Sequence, residues 1–318
     1  MPGAPDTNRT CDLPLRRGLL YPLSYRGARR DFTRLRSLLF SLLCCAAASV
    51  SAQSWAWDDG TTPFVVSPDA VVERMLYLAQ PKAGERLVDL GSGDGRIVIE
   101  AAKRYGVRGL GVDIDPQLVK LARENAERAG VASLASFEVQ DLFETDLHGV
   151  NVVTMYLLPE VNLKLLPRLI KQLKPGARIV SHDYDLGPWS YDEMIELTLA
   201  EKMAGSRGRS RVFLWLVPAD ARGRWIADLP EFGGRWQFEI AQTYQILDVD
   251  VRAGGTPMAV RGARLRGEDI RLAMTGSVFG RVHNLLFRGK LAGDSIEGEL
   301  RVSDGERADI LPWKASRQ

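Results

Sequence analysis

The chain has 318 residues, 45% of them hydrophobic and 26% charged, a composition that excludes disorder throughout and allows two domains with sizeable cores. Its net charge is +2, but residues 1–52 hold eight of the 42 Lys and Arg and three of the 40 Asp and Glu, leaving 34 against 37 in the remainder. That slightly acidic body excludes nucleic acid as the expected partner and gives no support to an anionic membrane surface.

The first 52 residues carry the parts of a leader. Arg29, Arg30, Arg34 and Arg36 precede an apolar run from Leu38 to Val50, and Val50-Ser51-Ala52 precedes Gln53, the layout of a signal peptide. The run is short for a membrane span, so the expectation is export to the periplasm or cell envelope. A membrane-anchored, uncleaved form or a cytoplasmic protein is the alternative, and a start codon near Leu35 would leave an ordinary leader. Arg29-Arg30-Asp31-Phe32 resembles a twin-arginine export signal. Cys11, Cys44 and Cys45 all lie in this leader, so neither a disulfide framework nor a metal site is expected of the body.

Pro63 to Pro68 leads into a helix, with Ser67 expected as its N-cap, Pro68 at its first position and Val71, Val72, Met75, Leu76 and Ala79 on its buried face. A short apolar strand, Leu87 to Leu90, then runs into Gly91-Ser92-Gly93-Asp94-Gly95 and a helix from Arg96 to Tyr105. Glycines so close together let a ligand approach the main chain at the carboxyl end of a parallel strand. The spacing departs from the dinucleotide fingerprint, and Asp89 and Asp94 would repel a pyrophosphate. A ligand with an ammonium and a sulfonium and no phosphate, S-adenosylmethionine (SAM), suits the two acids.

A second strand, Gly109 to Asp113, ends in an acid about 20 residues past the turn, where such folds bind ribose hydroxyls. Asp115 caps a helix from Pro116 that ends at Gly130. The third strand, Ser136 to Val139, ends in Gln140-Asp141-Leu142, an acceptor and an apolar side chain suited to adenine. The fourth strand spans Val150 to Tyr156, and the helical stretch after it reaches Leu173 with Pro167 expected to break or kink it. Ala177 to His182 forms the fifth strand, and Ile195 to Leu199 with Val212 to Val217 form an antiparallel pair after an unusually slight connection. This alternation implies an α/β, doubly wound, mostly parallel sheet.

Beyond Pro218 the helical period gives way to short alternating segments: Trp236 to Tyr244, Ile246 to Val251, Ile270 to Met274 and Leu285 to Leu291. Ala263 to Ile270 is echoed by Gly289 to Ile296, two hairpins of one design. A small all-β domain, a barrel or sandwich of meander type, is expected over 219–318, after a leader at 1–52 and an α/β domain at 53–218. No catalytic constellation is visible in the β domain, and Gly234-Arg235-Trp236 at its start loosely resembles lipocalin-like openings.

VDLGSGDG, GVDID, VQD and LKPGARIVS, in that order, resemble the motifs of class I SAM-dependent methyltransferases over roughly residues 63–218. PFVVSP, DLGSGDGR, GVDIDP, VVTMYLLPE and LKPGARIVSHDYD narrow the resemblance to bacterial relatives of the mitochondrial ATP synthase c-subunit lysine methyltransferases. The resemblance implies a Rossmann-like seven-stranded sheet, SAM as cofactor, a protein lysine as methyl acceptor and membrane association through the N-terminal segment. It adds Ser67 and Ile114 to the cofactor residues Asp89, Gly91, Ser92, Gly93, Asp94, Asp113, Asp141 and Leu142. The β domain is not part of the mitochondrial pattern.

Methyl transfer is an in-line displacement that needs positioning and exclusion of water but no metal. Residues at the ends of the fourth and fifth strands, Tyr156, Glu160, His182 and Asp183, are therefore the catalytic candidates, with Tyr156 and Trp189 framing a lysine chain and Glu160 or Asp183 holding its ammonium. Two other functions remain open: a small-molecule methyltransferase, favoured if the β domain closes over the strand ends, and an exported module that binds without turnover.

Overall fold

The computed structural model describes residues 64–199, 208–278, 280–305 and 307–318; the leader and its expected signal lie outside the described residues. Residues Gly60–Gln318 make one compact unit. Among the described residues no helix is long and apolar enough to cross a membrane.

The first half of this unit alternates helix and strand: α1 (Asp69–Ala79), β1 (Arg86–Leu90), α2 (Arg96–Tyr105), β2 (Arg108–Asp113), α3 (Pro116–Arg128), β3 (Ala135–Val139), β4 (Val152–Met155), α4 (Pro159–Gln172), β5 (Arg178–His182), β6 (Glu193–Thr198) and β7 (Arg209–Leu216). The seven strands form one sheet in the order β3-β2-β1-β4-β5-β7-β6, parallel except for β7. Strand side chains alternate between faces, and the core divides accordingly. Leu87, Val152, Val180 and Leu214 join α1, α2 and α3 on one side, whereas Val88, Val153, Ile179 and Phe213 join α4 on the other. Strand order reverses between β1 and β4, so their carboxyl ends open the crevice where doubly wound sheets bind ligands.

Two local expectations are corrected. Pro68, not Ser67, takes the N-cap position of α1 in an extended conformation, and the Ser67 hydroxyl turns to another partner described below. Pro167 does not interrupt α4, because Leu165, Leu166 and Leu169 are buried on either side of it and hold the helix to the sheet.

The second half is all β: β8 (Gly223–Leu229), β9 (Gly234–Thr243), β10 (Ile246–Ala253), β11 (Thr256–Arg266), β12 (Asp269–Val278), β13 (Arg281–Ala292), β14 (Ser295–Ser303) and β15 (Ala308–Arg317). Each pairs antiparallel with the next, and β15 returns to β8, closing an up-and-down barrel. The echoed segments become the β11–β12 and β13–β14 hairpins, whose turns hold Gly267 and Gly293 at φ 60° and 58°. Eight strands leave an interior that side chains can fill. Trp225, Trp236, Phe238, Phe287 and Trp313 fill it here, and the three indole N–H groups donate to the carbonyls of Ala221, Phe232 and Arg288 at 2.7–2.8 Å.

The barrel meets the sheet at the amino end of the parallel strands. Ala219 N donates to Gly267 O at 2.8 Å, and the Gly267 turn lies against Gly176, which precedes β5. Trp189 stacks on Tyr244 with ring centroids 5.6 Å apart, and the Gln245 amide donates to Ser190 O. A truncation ending at Ala219 exposes Trp189 and is expected to melt at lower temperature. It should bind SAM within about threefold of the full chain, because every cleft residue described below lies between 64 and 161. Recovery of that fragment only as aggregate, or loss of binding by calorimetry, contradicts this.

Candidate functional site

A cleft of about 470 Å³, within the range of small-ligand sites, opens at the carboxyl ends of β1, β2, β3 and β4. Its floor is the glycine turn, where Gly91 and Gly93 take φ of 76° and 52°. A Cβ on Gly91 would sit 2.8 Å from Leu157, and one on Gly93 would sit 2.4 Å from the Phe64 ring, so both positions require glycine. Gly91 N and Ser92 N both donate to Val112 O at 2.9 Å, which ties the turn to the end of β2.

Asp113 ends β2 in the cleft wall. Its carboxylate accepts from Gly93 N at 2.8 Å and Asp115 N at 3.0 Å, so it braces the turn while keeping lone pairs free. Asp89 lies beneath, 2% exposed, and accepts from the Thr154 hydroxyl of the adjoining strand at 2.7 Å. Burial pushes its carboxyl up to about 7; the Thr154 bond pulls the other way, and the charges of Asp113 and Asp94 add to the rise. Asp141 accepts from Phe143 N at 2.8 Å, and Leu142 and Ile114 complete that wall, the latter 66% exposed.

Asp94 departs from its expected part. Arg96 clamps its carboxylate at 2.6–3.2 Å, which cancels the charge it was expected to offer a cationic ligand. Through a further bond of 2.9 Å to Ser67 O, Arg96 instead fastens the segment before α1 to the glycine turn. That segment brings Phe64, Val65 and Val66 into the cleft wall with their apolar surfaces open. Sequence reading passed over these three residues. Their contiguity before Ser67 was a visible signal, but their direction was not.

The acceptor-side candidates separate. Tyr156 is half-buried and lines the cleft, its ring 3.9 Å from His182 and 6.3 Å from Tyr184 by centroids. Burial first, then the charge of the Asp183 carboxylate, raises its phenol well above the ordinary range. Asp183, left-handed at φ 62°, also accepts from Arg211 N at 2.9 Å. His182, the third catalytic candidate, links two segments of the chain. It is fully buried between Ser67 Oγ at 2.9 Å and Ser210 Oγ at 3.1 Å, with Asp183 at 3.5 Å. Glu160 is exposed in the first turn of α4, outside the cleft lining, and Trp189, 1% exposed, is core rather than half of a slot.

Ser67→Ala removes the hydroxyl bonded to the buried His182 ring and is expected to cost about 1 to 3 kcal/mol of stability. Denaturant unfolding measures it, and an unchanged midpoint contradicts the link.

The cleft fits SAM on grounds of its own. The Ser92 hydroxyl is buried in the cleft lining with no hydrogen-bond partner among the described residues, a group that a bound ligand can satisfy. Two glycines admit a ligand to the main chain, a carboxylate stands at the β2 end for ribose hydroxyls, and Ile114 and Leu142 offer an apolar slot for a purine.

The ANTKMT methyltransferase domain matches residues 89–193, ending before the barrel. A protein-lysine N-methyltransferase of Saccharolobus islandicus is 43% identical over 136 residues, which span 42% of this chain and 84% of the relative. The mouse lysine N-methyltransferase of the ATP synthase c-subunit is 35% identical over 151 residues, 46% of this chain and 60% of the relative. The crystal structure of an RNA methyltransferase from Salinibacter ruber with S-adenosyl-L-homocysteine is 49% identical in sequence. It covers 49% of this chain and 95% of its own, with a TM-score of 0.44.

Proposed function

The chain belongs to the SAM-dependent methyltransferase family of the protein-lysine N-methyltransferases, and we propose that its own methyl acceptor is a lysine amine of a protein. It is a SAM-dependent methyltransferase, with the cofactor held by Asp113, the Gly91–Gly93 backbone, Ser92 and the Ile114–Leu142 slot. SAM supplies a methyl group already activated by the sulfonium. What remains for this chain is to bring a neutral amine into line and to exclude water.

One observation carries the acceptor reading: Tyr156, an aromatic ring in the cleft wall, is flanked by Tyr184 and lies within the field of the Asp183 carboxylate. A lysine ammonium entering there meets aromatic surface and a carboxylate together. Asp183 is the group placed to receive the proton that the ammonium must lose before it attacks, and the Arg211 backbone N–H, at 2.9 Å, holds that carboxylate in position. The barrel supports a macromolecular acceptor, because it sits at the amino ends of the strands and leaves the cleft mouth open instead of closing it over a small substrate.

Asp183→Asn is expected to cut methyl transfer to lysine-containing protein by roughly 10²-fold or more while SAM affinity stays within a few-fold. An Asp183→Asn protein of undiminished transfer rate overturns this assignment. For location we propose export with Gln53 as the mature N-terminus, from the Arg-rich region, short apolar run and Val50-Ser51-Ala52. Cell fractionation with N-terminal sequencing tests it; an intact leader on cytosolic protein contradicts it.

A further inference from the structure

The barrel has its interior filled by side chains and stands at the end of the sheet away from the cleft, so its contribution must lie on its outer wall. That wall is charged, and its strands pair in a register that places outward side chains in rows. In one row, Asp269 stands opposite Lys290, Lys290 opposite Glu297 and Glu297 opposite Lys314. Opposite charges meet, and ion pairs form at 3.6 Å between Lys290 and Asp269 and 2.6 Å between Lys314 and Glu297.

The adjoining row breaks this rule. Arg264 on β11 stands opposite Arg271 on β12, which stands opposite Arg288 on β13, and only Arg288 then faces an acid, Glu299 on β14. Like charges directly opposite each other on neighbouring strands are destabilising, and strands lie about 4.8 Å apart. Arg264 is partly answered by the buried Asp192 carboxylate at 3.8 Å. Arg271 and Arg288 are exposed and form no ion pair among the described residues. Both line a groove of about 920 Å³ between the barrel wall and the start of β6, where Asp192 and Glu193 form the facing side.

We infer that this groove is a docking site for an acidic segment of a partner protein, whose carboxylates lie on Arg271 and Arg288. Arginine receives carboxylates in a bidentate fork, and two such long side chains, splaying from adjacent strands, reach acidic side chains at alternate positions on the same face of an extended chain, about 7 Å apart. The groove also displays Glu193, Glu297 and Glu299. These would repel the uniform charge of a nucleic-acid backbone, whereas a polypeptide can place neutral or basic residues against them. Within the barrel the arginine row is answered only in part, by Asp192 beside Arg264 and Glu299 opposite Arg288, and such a partner would complete it.

The test uses the full chain and a fluorescein-labelled peptide of alternating glutamate and glycine, with a glutamine-for-glutamate control and a single-stranded oligouridylate as competitors. The glutamate peptide is expected to bind at least tenfold more tightly than the control, and more weakly as salt rises. In the Arg271→Gln/Arg288→Gln double variant its affinity should fall at least tenfold, while the melting temperature stays level or rises and SAM binding is unchanged. Absence of glutamate-peptide binding, binding indifferent to the double substitution, or tighter binding of oligouridylate through the same arginines overturns the inference.

Discussion

Replacing Asp113 by alanine is expected to weaken SAM binding by about 1.5 to 3 kcal/mol, roughly 10- to 150-fold. The carboxylate stands at the end of β2 in the cleft wall, where it is placed to accept ribose hydroxyls, and charged hydrogen bonds of this kind account for the range given. A second loss acts in the same direction. Gly93 N and Asp115 N both donate to this carboxylate, so alanine also frees the turn that forms the cleft floor. Asp113→Asn keeps one acceptor oxygen and should fall between the wild type and alanine. Titration calorimetry decides, and an unchanged affinity in Asp113→Ala removes this residue from the site.

The second large effect is a pH dependence centred on Asp89. Its carboxyl titrates near 7 in the folded protein against about 4 in an unfolded chain, because burial disfavours the charge. Below pH 4 the group is neutral in both states and contributes no pH dependence. Between 4 and 7 the folded state holds a proton that the unfolded state has released, so stability of the ligand-free protein falls as pH rises, by about 4 kcal/mol in all. Above 7 the slope vanishes.

A cationic cofactor favours the ionised carboxylate, which reverses the sign for binding. SAM affinity should therefore rise with pH through about 7, with release of a proton on binding. Asp89→Asn keeps an acceptor for the Thr154 hydroxyl while removing the titration. It is expected to flatten both profiles, to raise ligand-free stability at pH 8 and to weaken SAM binding there. Parallel profiles for wild type and Asp89→Asn contradict the assignment.

The sheet was legible in the sequence wherever an apolar run ended in an acid or a glycine. Asp89, Asp113 and Asp141 each mark the carboxyl end of a strand, so a local pattern already carried the crevice. Closure of the barrel was not legible in this way. It depends on β15 returning to β8, with Ser316 pairing with Ile226, 90 residues earlier, and β15 carries Pro312 within an otherwise unremarkable run. The acceptor side was hardest to read, because residue type does not report burial. His182 and Trp189 have catalytic-looking chemistry but lie in the core. The bond from His182 to Ser67 joins residues 115 positions apart, with nothing in the intervening sequence to signal it. Arg96 was passed over for the opposite reason. An arginine opening a helix looks like surface, yet its neighbours Asp94 and Ser67 O make it the strap of the cleft.

The most direct test of the whole account is the chemical identity of the methylated product. Purified full-length protein, given SAM labelled in the methyl group and a lysate of its own cells, should transfer label to material that is protease-sensitive and ribonuclease-resistant. Acid hydrolysis of that material should release methylated lysine, and Asp113→Ala should abolish the signal at limiting SAM. Label recovered only in ribonuclease-sensitive or small-molecule fractions, or on an amino acid other than lysine, would contradict the account.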